Sequence, residues 1–162
     1  MEKLTTREKI INTACKIVEN HCAYIWGAQG EKLARLTPED IGRMETSPAN
    51  AEKVIRFINM LAAHGWLTAK SKAFDCSGLI CYLLVKCGIE KPGFDMTADG
   101  LASRYPKRAV IREGCLLHRK GHVGLYIGGG YLIEAKGRVW GVVVSPYTAA
   151  DWDSVFPDPC GE

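Results

Sequence analysis

The most informative stretch of the chain is Phe74-Asp75-Cys76-Ser77-Gly78-Leu79. Asp75 is a favourable N-cap residue, so we expect a helix to begin after it and to end before Gly88. This helix places Cys76 in its first turn, where unpaired backbone amides and the positive end of the helix dipole stabilise a thiolate. Cys76 is therefore a candidate nucleophile. The alternative is a small buried cysteine, like Cys81 farther along the same helix.

Around this helix the chain changes from helices to strands. Before it, the sequence predicts a helix over about 6–19 and a helical insert over about 31–72. After it, short β-like runs lie at 109–112, 115–118, 122–127, 131–135 and 138–144. Short linkers between consecutive strands cannot form parallel crossovers. We therefore expect an α+β fold in which N-terminal helices, the nucleophile helix among them, pack on a C-terminal antiparallel sheet.

Length and composition favour one folded domain over 1–162, with a loose tail at about 156–162. Hydrophobic residues make up 47% and charged residues 24% of the chain, which excludes a disordered or fibrous protein. The 21 basic and 18 acidic residues are evenly spread, which argues against nucleic acid binding. The longest apolar run, Gly78 to Val85, is too short to span a membrane.

The start of the chain, from Met1 to Ile11, carries charges where a signal peptide needs an apolar stretch. We therefore expect synthesis in the cytoplasm and seven reduced cysteines, an odd number that does not suit a disulfide framework. Cys15 and the His21-Cys22 pair have no partner pair at zinc-ligand spacing, so we predict no metal and no cofactor.

A cysteine nucleophile needs a base, and the chain has four histidines. His21 and His64 each follow a predicted helix, where a histidine interacts with terminal carbonyl groups. His118 precedes Arg119 and Lys120 and is expected to be solvated. His122 begins a predicted strand whose alternate residues share one face, and this position makes it the candidate base.

The predicted hairpin after His122 contributes a third candidate. If Gly128-Gly129-Gly130 forms the whole loop, Gly124 faces Glu134 and His122 faces Lys136. Glu134 then lies diagonally across from His122 on the same face, with Cβ atoms about 7 Å apart. A change of one residue in the loop would place Glu134 on the other face, where a solvated glutamate is the alternative interpretation.

The same residues resemble the motifs of the NlpC-type peptidoglycan endopeptidases, which have a papain-like α+β fold. The stretch at 74–79 resembles the cysteine motif of that family, Gly121 to Gly128 its histidine motif, and Leu132 to Ala135 its third motif. Tyr24-Ile25-Trp26-Gly27 resembles the segment before the nucleophile, and Arg112 to Leu116 resembles a Gly-Asp-Leu strand entry. These motifs follow the order of the family along most of the chain.

The resemblance implies hydrolysis of an amide in cell-wall stem peptides, usually between D-glutamate and a diamino acid. Cys76 would form the acyl-enzyme, His122 would act as base and then as acid, and Glu134 would orient His122. Tyr24 matches a tyrosine that contacts the substrate or the developing oxyanion. Asp75 and Ser77 match positions that hold the amino end of a stem peptide in some members.

Three features depart from the family pattern. The third catalytic position is more often His, Asn or Gln than Glu, and the acidic residue of the Gly-Asp-Leu motif is Cys115 here. The insert over about 31–72 separates Tyr24 from Cys76 by a much longer segment than the short linker that is common in the family. It would either cover the cleft or pack against one side of it.

The expected partners are peptidoglycan stem peptides or muropeptides, without nucleic acid or membrane insertion, and the oligomeric state is not indicated. Without a signal peptide, the enzyme would reach the wall by phage-type release, as a phage or prophage lysin, or act on muropeptides in the cytoplasm. Two alternatives stay open: a structural or wall-binding phage tail component with little turnover, and a cysteine amidase or acyltransferase with a non-wall substrate.

Overall fold

The computed structural model describes residues 2–161, so Met1 and Glu162 lie outside the described residues. Within that range there are five α-helices: α1 (Thr6–Glu19), α2 (Pro38–Met44), α3 (Pro48–Ala63), α4 (Cys76–Lys86) and α5 (Ala98–Arg104). The described residues also form nine strands: β1 (Ala23–Tyr24), β2 (Gln29–Lys32), β3 (Lys72–Phe74), β4 (Lys107–Arg108), β5 (Leu116–Arg119), β6 (His122–Gly128), β7 (Tyr131–Gly137), β8 (Gly141–Pro146) and β9 (Phe156–Pro157). Across this range no helix has both the length and the apolar character needed to cross a membrane.

The central helix α4 has the nucleophile candidate at its first position. Its buried residues lie on most sides of the helix and are Gly78, Leu79, Ile80, Cys81, Leu83 and Leu84. Burial of each leucine side chain stabilises the fold by about 1.5–3 kcal/mol. α4 packs between α1 and the strands β6 and β7, so it is held on two sides and its N-terminal end has a fixed position.

The C-terminal sheet has the order β5-β6-β7-β8, and all its neighbouring strands are antiparallel. Helices packed on such a sheet confirm the predicted α+β class. The strand expected at 109–112 is wrong, because this segment is irregular and leads into Gly114, whose φ is +89°. The neighbouring β4 pairs instead with β9.

The hairpin between β6 and β7 differs from the expectation at its tip. Leu125 pairs with Ile133 and Tyr126 with Leu132, which is the register that a three-glycine loop predicts. Gly128, however, already pairs with Tyr131, so the loop has two residues and the strand has an irregularity between Tyr126 and Gly128. This bulge absorbs the extra residue. The register therefore stays in phase farther down the strands, where His122 and Glu134 lie.

A small sheet near the N-terminus was not predicted, because its strands have only two to four residues. β3 lies in its middle, parallel to β1 and antiparallel to β2. The insert contains a short 3₁₀ helix, α2 and α3. Val54 and Leu61 of α3 pack with Ile25 and Ala73 in one buried cluster, so the insert packs against the small sheet.

The expectation of a loose tail is wrong for residues 156–161. Phe156 and Asp158 are buried, and β9 pairs with β4. Arg7 of α1 donates a hydrogen bond of 2.5 Å to the carboxylate of Asp158, and Arg108 donates a second one. A buried carboxylate that is paired with two guanidinium groups holds the end of the chain against α1, and the isolated sequence of the tail does not reveal these partners.

Candidate active site

Asp75 holds the start of α4 in place. Its Oδ1 atom accepts a hydrogen bond of 2.7 Å from the Gly78 amide, and its Oδ2 atom accepts one of 2.8 Å from the Gly27 amide. A Cβ atom at Gly78 would lie 2.0 Å from the carbonyl oxygen of Ala28. Glycine is therefore required for the helix to approach this loop, and together these contacts fix the position of Cys76.

His122 and Glu134 lie on neighbouring strands and are joined by a hydrogen bond. The His122 Nε2 atom is 2.8 Å from Glu134 Oε1, and the two side chains are 15% and 7% exposed. Cys76 and His122 line the same cleft, and Cys76 is one of the groups that raise the pKa of His122. Because Nε2 is bonded to Glu134, Nδ1 is the ring nitrogen that remains for the thiol. The structure therefore brings these three candidates together.

The charges of this group influence each other strongly. Burial alone would lower the pKa of His122, but its interactions with Cys76 and Glu134 outweigh burial and raise that pKa to about 9. Burial would raise the pKa of Glu134, but hydrogen bonds with His122 and Ser145 outweigh it, so that this pKa is lowered. Near neutral pH, His122 is therefore protonated, and its imidazolium lies beside the carboxylate of Glu134.

Trp152 covers the imidazole, and nothing in the sequence pattern indicated this role. Its ring stacks against His122 with 5.6 Å between ring centroids, and the guanidinium of Arg119 lies 4.6 Å from the Trp152 ring. Trp152 follows a short 3₁₀ helix after the last strand of the sheet. Only the folded chain places it beside β6.

Tyr24, at the end of β1, lies near the nucleophile. Burial first, and then the charges of Cys76 and Asp75, raise the pKa of Tyr24 to about 12. Its hydroxyl is therefore protonated at neutral pH and able to donate a hydrogen bond. The guanidinium of Arg138 lies 5.3 Å from the centroid of its ring.

A cleft of about 400 Å³ opens in front of Cys76. The residues that line it are Tyr24, Trp26, Gly27, Asp75, Cys76, Ser77, Thr97, Ala98, Asp99, Gly121, His122 and Lys136. Tyr24, Asp75 and Ser77, which were expected to bind substrate, all line this cleft. The carboxylate of Asp75 is also the N-cap of α4, so at least part of its role is structural.

The prediction that His118 is solvated is wrong. It lies on β5 with its side chain 14% exposed, and its two ring nitrogens lie 2.6 Å from an oxygen of Asp153 and 2.8 Å from one of Asp99. The same oxygen of Asp99 accepts a hydrogen bond of 2.9 Å from the amide of Gly121, whose carbonyl oxygen is 3.8 Å from the Cys76 sulfur. His118 therefore supports the turn beside the nucleophile.

The remaining histidines and cysteines do not line this cleft. His21 and His64 both stack on the ring of Trp66. Burial is the first cause of a raised pKa for five other thiols, those of Cys15, Cys22, Cys81, Cys87 and Cys115. Among residues 2–161, no group of three or more His, Cys, Asp or Glu side chains is placed to hold a metal ion.

The sequence model of the NlpC/P60 family matches residues 63–157, more than half of the chain. The chain belongs to the NlpC/P60 family. The matched part of this NlpC/P60 chain contains Cys76, His122 and Glu134, whereas Tyr24 lies before it.

Two curated relatives come from Mycobacterium tuberculosis. The peptidoglycan endopeptidase RipB is 33% identical over 85 residues, which are 51% of this chain and 35% of RipB. The peptidoglycan endopeptidase RipA is 29% identical over 85 residues, which are 51% of this chain and 18% of RipA. The NlpC/P60 chain therefore matches only about a third of the length of RipB and less of RipA.

Solved structures share the fold of this NlpC/P60 chain. The structure of RipB from Mycobacterium tuberculosis has a TM-score of 0.57 at 23% identity, over 95% of this chain and 64% of that one. NlpC2 from Trichomonas vaginalis has a TM-score of 0.61 at 18% identity, over 98% of this chain and 48% of that one. These likenesses confirm the predicted papain-like class.

Proposed function

We propose that this chain is a cysteine peptidase that hydrolyses an amide bond in peptidoglycan stem peptides, between D-glutamate and a diamino acid, through an acyl-enzyme on Cys76. The observation that carries the proposal is the hydrogen-bonded pair of His122 and Glu134, whose imidazole lines the same accessible cleft as Cys76. The names of RipB and RipA, both peptidoglycan endopeptidases, support the substrate class.

In the first half of the reaction, His122 holds the proton of Cys76 and the thiolate attacks the substrate carbonyl. The carbonyl oxygen becomes an oxyanion, for which the Cys76 amide at the helix start and the Tyr24 hydroxyl are the available donors. The tetrahedral intermediate then collapses. Its C–N bond breaks, the proton on His122 passes to the leaving amine, and the acyl group stays on sulfur.

In the second half, a water molecule attacks the thioester and His122 accepts its proton. A second tetrahedral intermediate releases the carboxylic acid and restores the thiol. Glu134 keeps Nε2 of His122 engaged throughout, so that Nδ1 faces the sulfur in each proton transfer. It also stabilises the imidazolium, which forms in both halves of the reaction.

Digestion of purified peptidoglycan by the parent, Cys76→Ala and Cys15→Ala tests this function. Cys15 is a matched control, because it is a cysteine on α1 that does not line the cleft. We expect the parent and Cys15→Ala to release cleaved stem peptides and Cys76→Ala to release none. Mass spectrometry of the products identifies the bond. Equal release by the parent and Cys76→Ala would exclude the proposed nucleophile.

Two other outcomes would support the alternatives. Binding to peptidoglycan by the parent, with no release of peptides, would indicate a wall-binding component with little turnover. Release of acyl groups from other amide substrates, with intact stem peptides, would indicate an amidase or acyltransferase. The buried partners of His122 favour turnover, because a binding surface has no need of an oriented imidazole.

A further inference from the structure

We propose that the ion pair between Glu45 and Arg138 positions Tyr24 for catalysis and thereby makes the insert part of the catalytic apparatus. The proposal rests on the proposed function, in which Tyr24 stabilises the oxyanion. Glu45 follows α2 in the insert, and Arg138 lies in the turn between β7 and β8. Glu45 and Arg138 are positioning residues, because neither lines the cleft.

The ion pair has a defined geometry. Arg138 Nε donates to Glu45 Oε2 at 3.0 Å, and Arg138 Nη2 donates to Glu45 Oε1 at 2.8 Å. The side chain of Glu45 is fully buried and that of Arg138 is 21% exposed. Two parallel charge-assisted hydrogen bonds fix both the distance and the orientation of the guanidinium plane. A single exposed contact would not restrict it in this way.

The carboxylate of Glu45 also holds the backbone that enters the cleft. Its Oε2 atom accepts a hydrogen bond of 3.1 Å from the amide of Trp26, two residues after Tyr24. Its Oε1 atom accepts one of 3.1 Å from the amide of Thr46. Each oxygen therefore has one guanidinium and one backbone partner, and the carboxylate has little freedom to move.

The guanidinium of Arg138 restrains the tyrosine itself. It lies 5.3 Å from the centroid of the Tyr24 ring, within the range of a cation–π interaction. The chain is thus held two residues after Tyr24, at the amide of Trp26, and the Tyr24 ring is held by Arg138. A hydrogen-bond donor to an oxyanion stabilises the transition state well only when it is already in position, and this arrangement supplies that restraint.

Steady-state kinetics on a purified stem peptide test the proposal with Arg138→Met, Arg138→Lys, Tyr24→Phe and the double variant Arg138→Met/Tyr24→Phe. We expect Arg138→Met to lower kcat about tenfold with little change of KM, and Tyr24→Phe to lower it by about 10²-fold. The double variant should lose no more than Tyr24→Phe alone, because the ion pair acts through the tyrosine. Arg138→Lys keeps the positive charge but loses the two parallel donors of the guanidinium, so its kcat should lie between those of Arg138→Met and the parent.

Arg56→Met is the matched control, because it breaks an exposed ion pair with Glu52 on α3. We expect it to keep the parent kinetics. Losses that multiply in the double variant would overturn the proposal, since a merely structural pair would act independently of Tyr24. A change of KM alone in Arg138→Met would overturn it as well.

A spectroscopic readout separates failure of this proposal from failure of the proposed function. The protein is labelled with 3-fluorotyrosine, and Tyr24→Phe assigns the Tyr24 signal in the ¹⁹F spectrum. We expect Arg138→Met, but not Arg56→Met, to shift or broaden that signal. An unchanged signal would overturn the proposal even in an active enzyme. A parent without peptidase activity would refute the proposed function, while the signal would still show whether the ion pair restrains Tyr24.

Discussion

His122 and Glu134 lie on adjacent strands of one hairpin, with 2.8 Å between Nε2 and Oε1, and both side chains are largely buried. The bond determines which nitrogen of the ring remains for Cys76. It also places a negative charge beside the imidazole, so Glu134 influences both the orientation and the proton affinity of His122.

Glu134→Gln should be less damaging than His122→Ala. Glutamine can still accept a hydrogen bond from His122, so the ring keeps its orientation while the charge is lost. We expect kcat/KM to fall by about 10–100-fold for Glu134→Gln and by about 10³-fold or more for His122→Ala. Steady-state kinetics on a stem peptide measure both. A greater loss for Glu134→Gln would show that the roles of the pair are wrongly assigned.

The pH profile of kcat/KM should have an upper limb near pH 9. Activity falls there because His122, whose pKa is raised to about 9, loses the proton that it must give to the leaving amine. Since the negative charge of Glu134 raises this pKa, Glu134→Gln should move the upper limb to lower pH. Glu52→Gln, on the exposed face of α3, should leave it in place. An upper limb that is identical in the parent and Glu134→Gln would contradict this electrostatic role.

Iodoacetamide at neutral pH should label Cys76 before Cys81 or Cys87. Cys81 is 1% exposed, and burial is the first cause that raises its pKa to about 11. Burial also raises the pKa of Cys87, whereas Cys76 opens to the cleft beside an imidazolium. Peptide mapping by mass spectrometry after short exposures gives the order. Labelling of Cys81 as fast as Cys76 would refute an activated thiol at the helix start.

Gly78→Ala should destabilise the fold. Its new methyl group would lie 2.0 Å from the carbonyl oxygen of Ala28, a rigid backbone atom. We expect a loss of about 3 kcal/mol in the free energy of unfolding, the upper range for overpacking. At Gly42 in α2, an added Cβ atom would meet no atom within 4 Å outside its own helix backbone and its neighbours in the chain. Gly42→Ala should therefore be neutral or stabilising by up to about 1 kcal/mol. Urea denaturation measures both variants, and equal stabilities would argue against the close approach.

Asp158→Asn should weaken the fold although it lies near the end of the chain. The substitution removes the carboxylate charge that lies 2.5 Å from the buried guanidinium of Arg7, and breaking a buried ion pair costs about 3–5 kcal/mol. Arg7 and Arg108 hold the pKa of Asp158 below its usual value. The stability from this pair is therefore present above the ordinary pKa of 3.8 and is lost as the pH falls through the lowered value. Urea denaturation at pH 7 and at pH 3 should show a smaller difference between parent and variant at acid pH.

Much of the fold follows from local patterns. The capping box of Thr5 and Glu8 places the start of α1, and Asp75 places the start of α4, because these side chains bond to amides within one turn. The strand order of the C-terminal sheet follows from its short linkers. The alternation of side chains along β6 and β7 also predicts that His122 and Glu134 share one face of the sheet. This prediction holds although the predicted three-glycine loop is wrong, because Gly128 pairs with Tyr131.

Other parts of the site have no local signal. Glu45 and Arg138 are 93 residues apart in the sequence, and neither stands in a motif. Trp152 lies in an irregular segment and stacks on His122. Asp158, near one end of the chain, accepts a hydrogen bond from Arg7, near the other end. A buried ion pair or an aromatic stack depends on which distant segments pack together, and the spacing of nearby residues does not predict those contacts.

Short-range hydrogen bonding and alternation along strands thus specify where Cys76, His122 and Glu134 stand on their own elements. The packing of α4 against β6 and β7, by contrast, sets the separation of thiol and imidazole. The docking of the insert places Glu45 against Arg138 and the amide of Trp26, near Tyr24. The reason is the range of the forces: caps and turns are formed by neighbours in the chain, whereas burial and desolvated charge pairs require surfaces that exist only after distant segments have packed together.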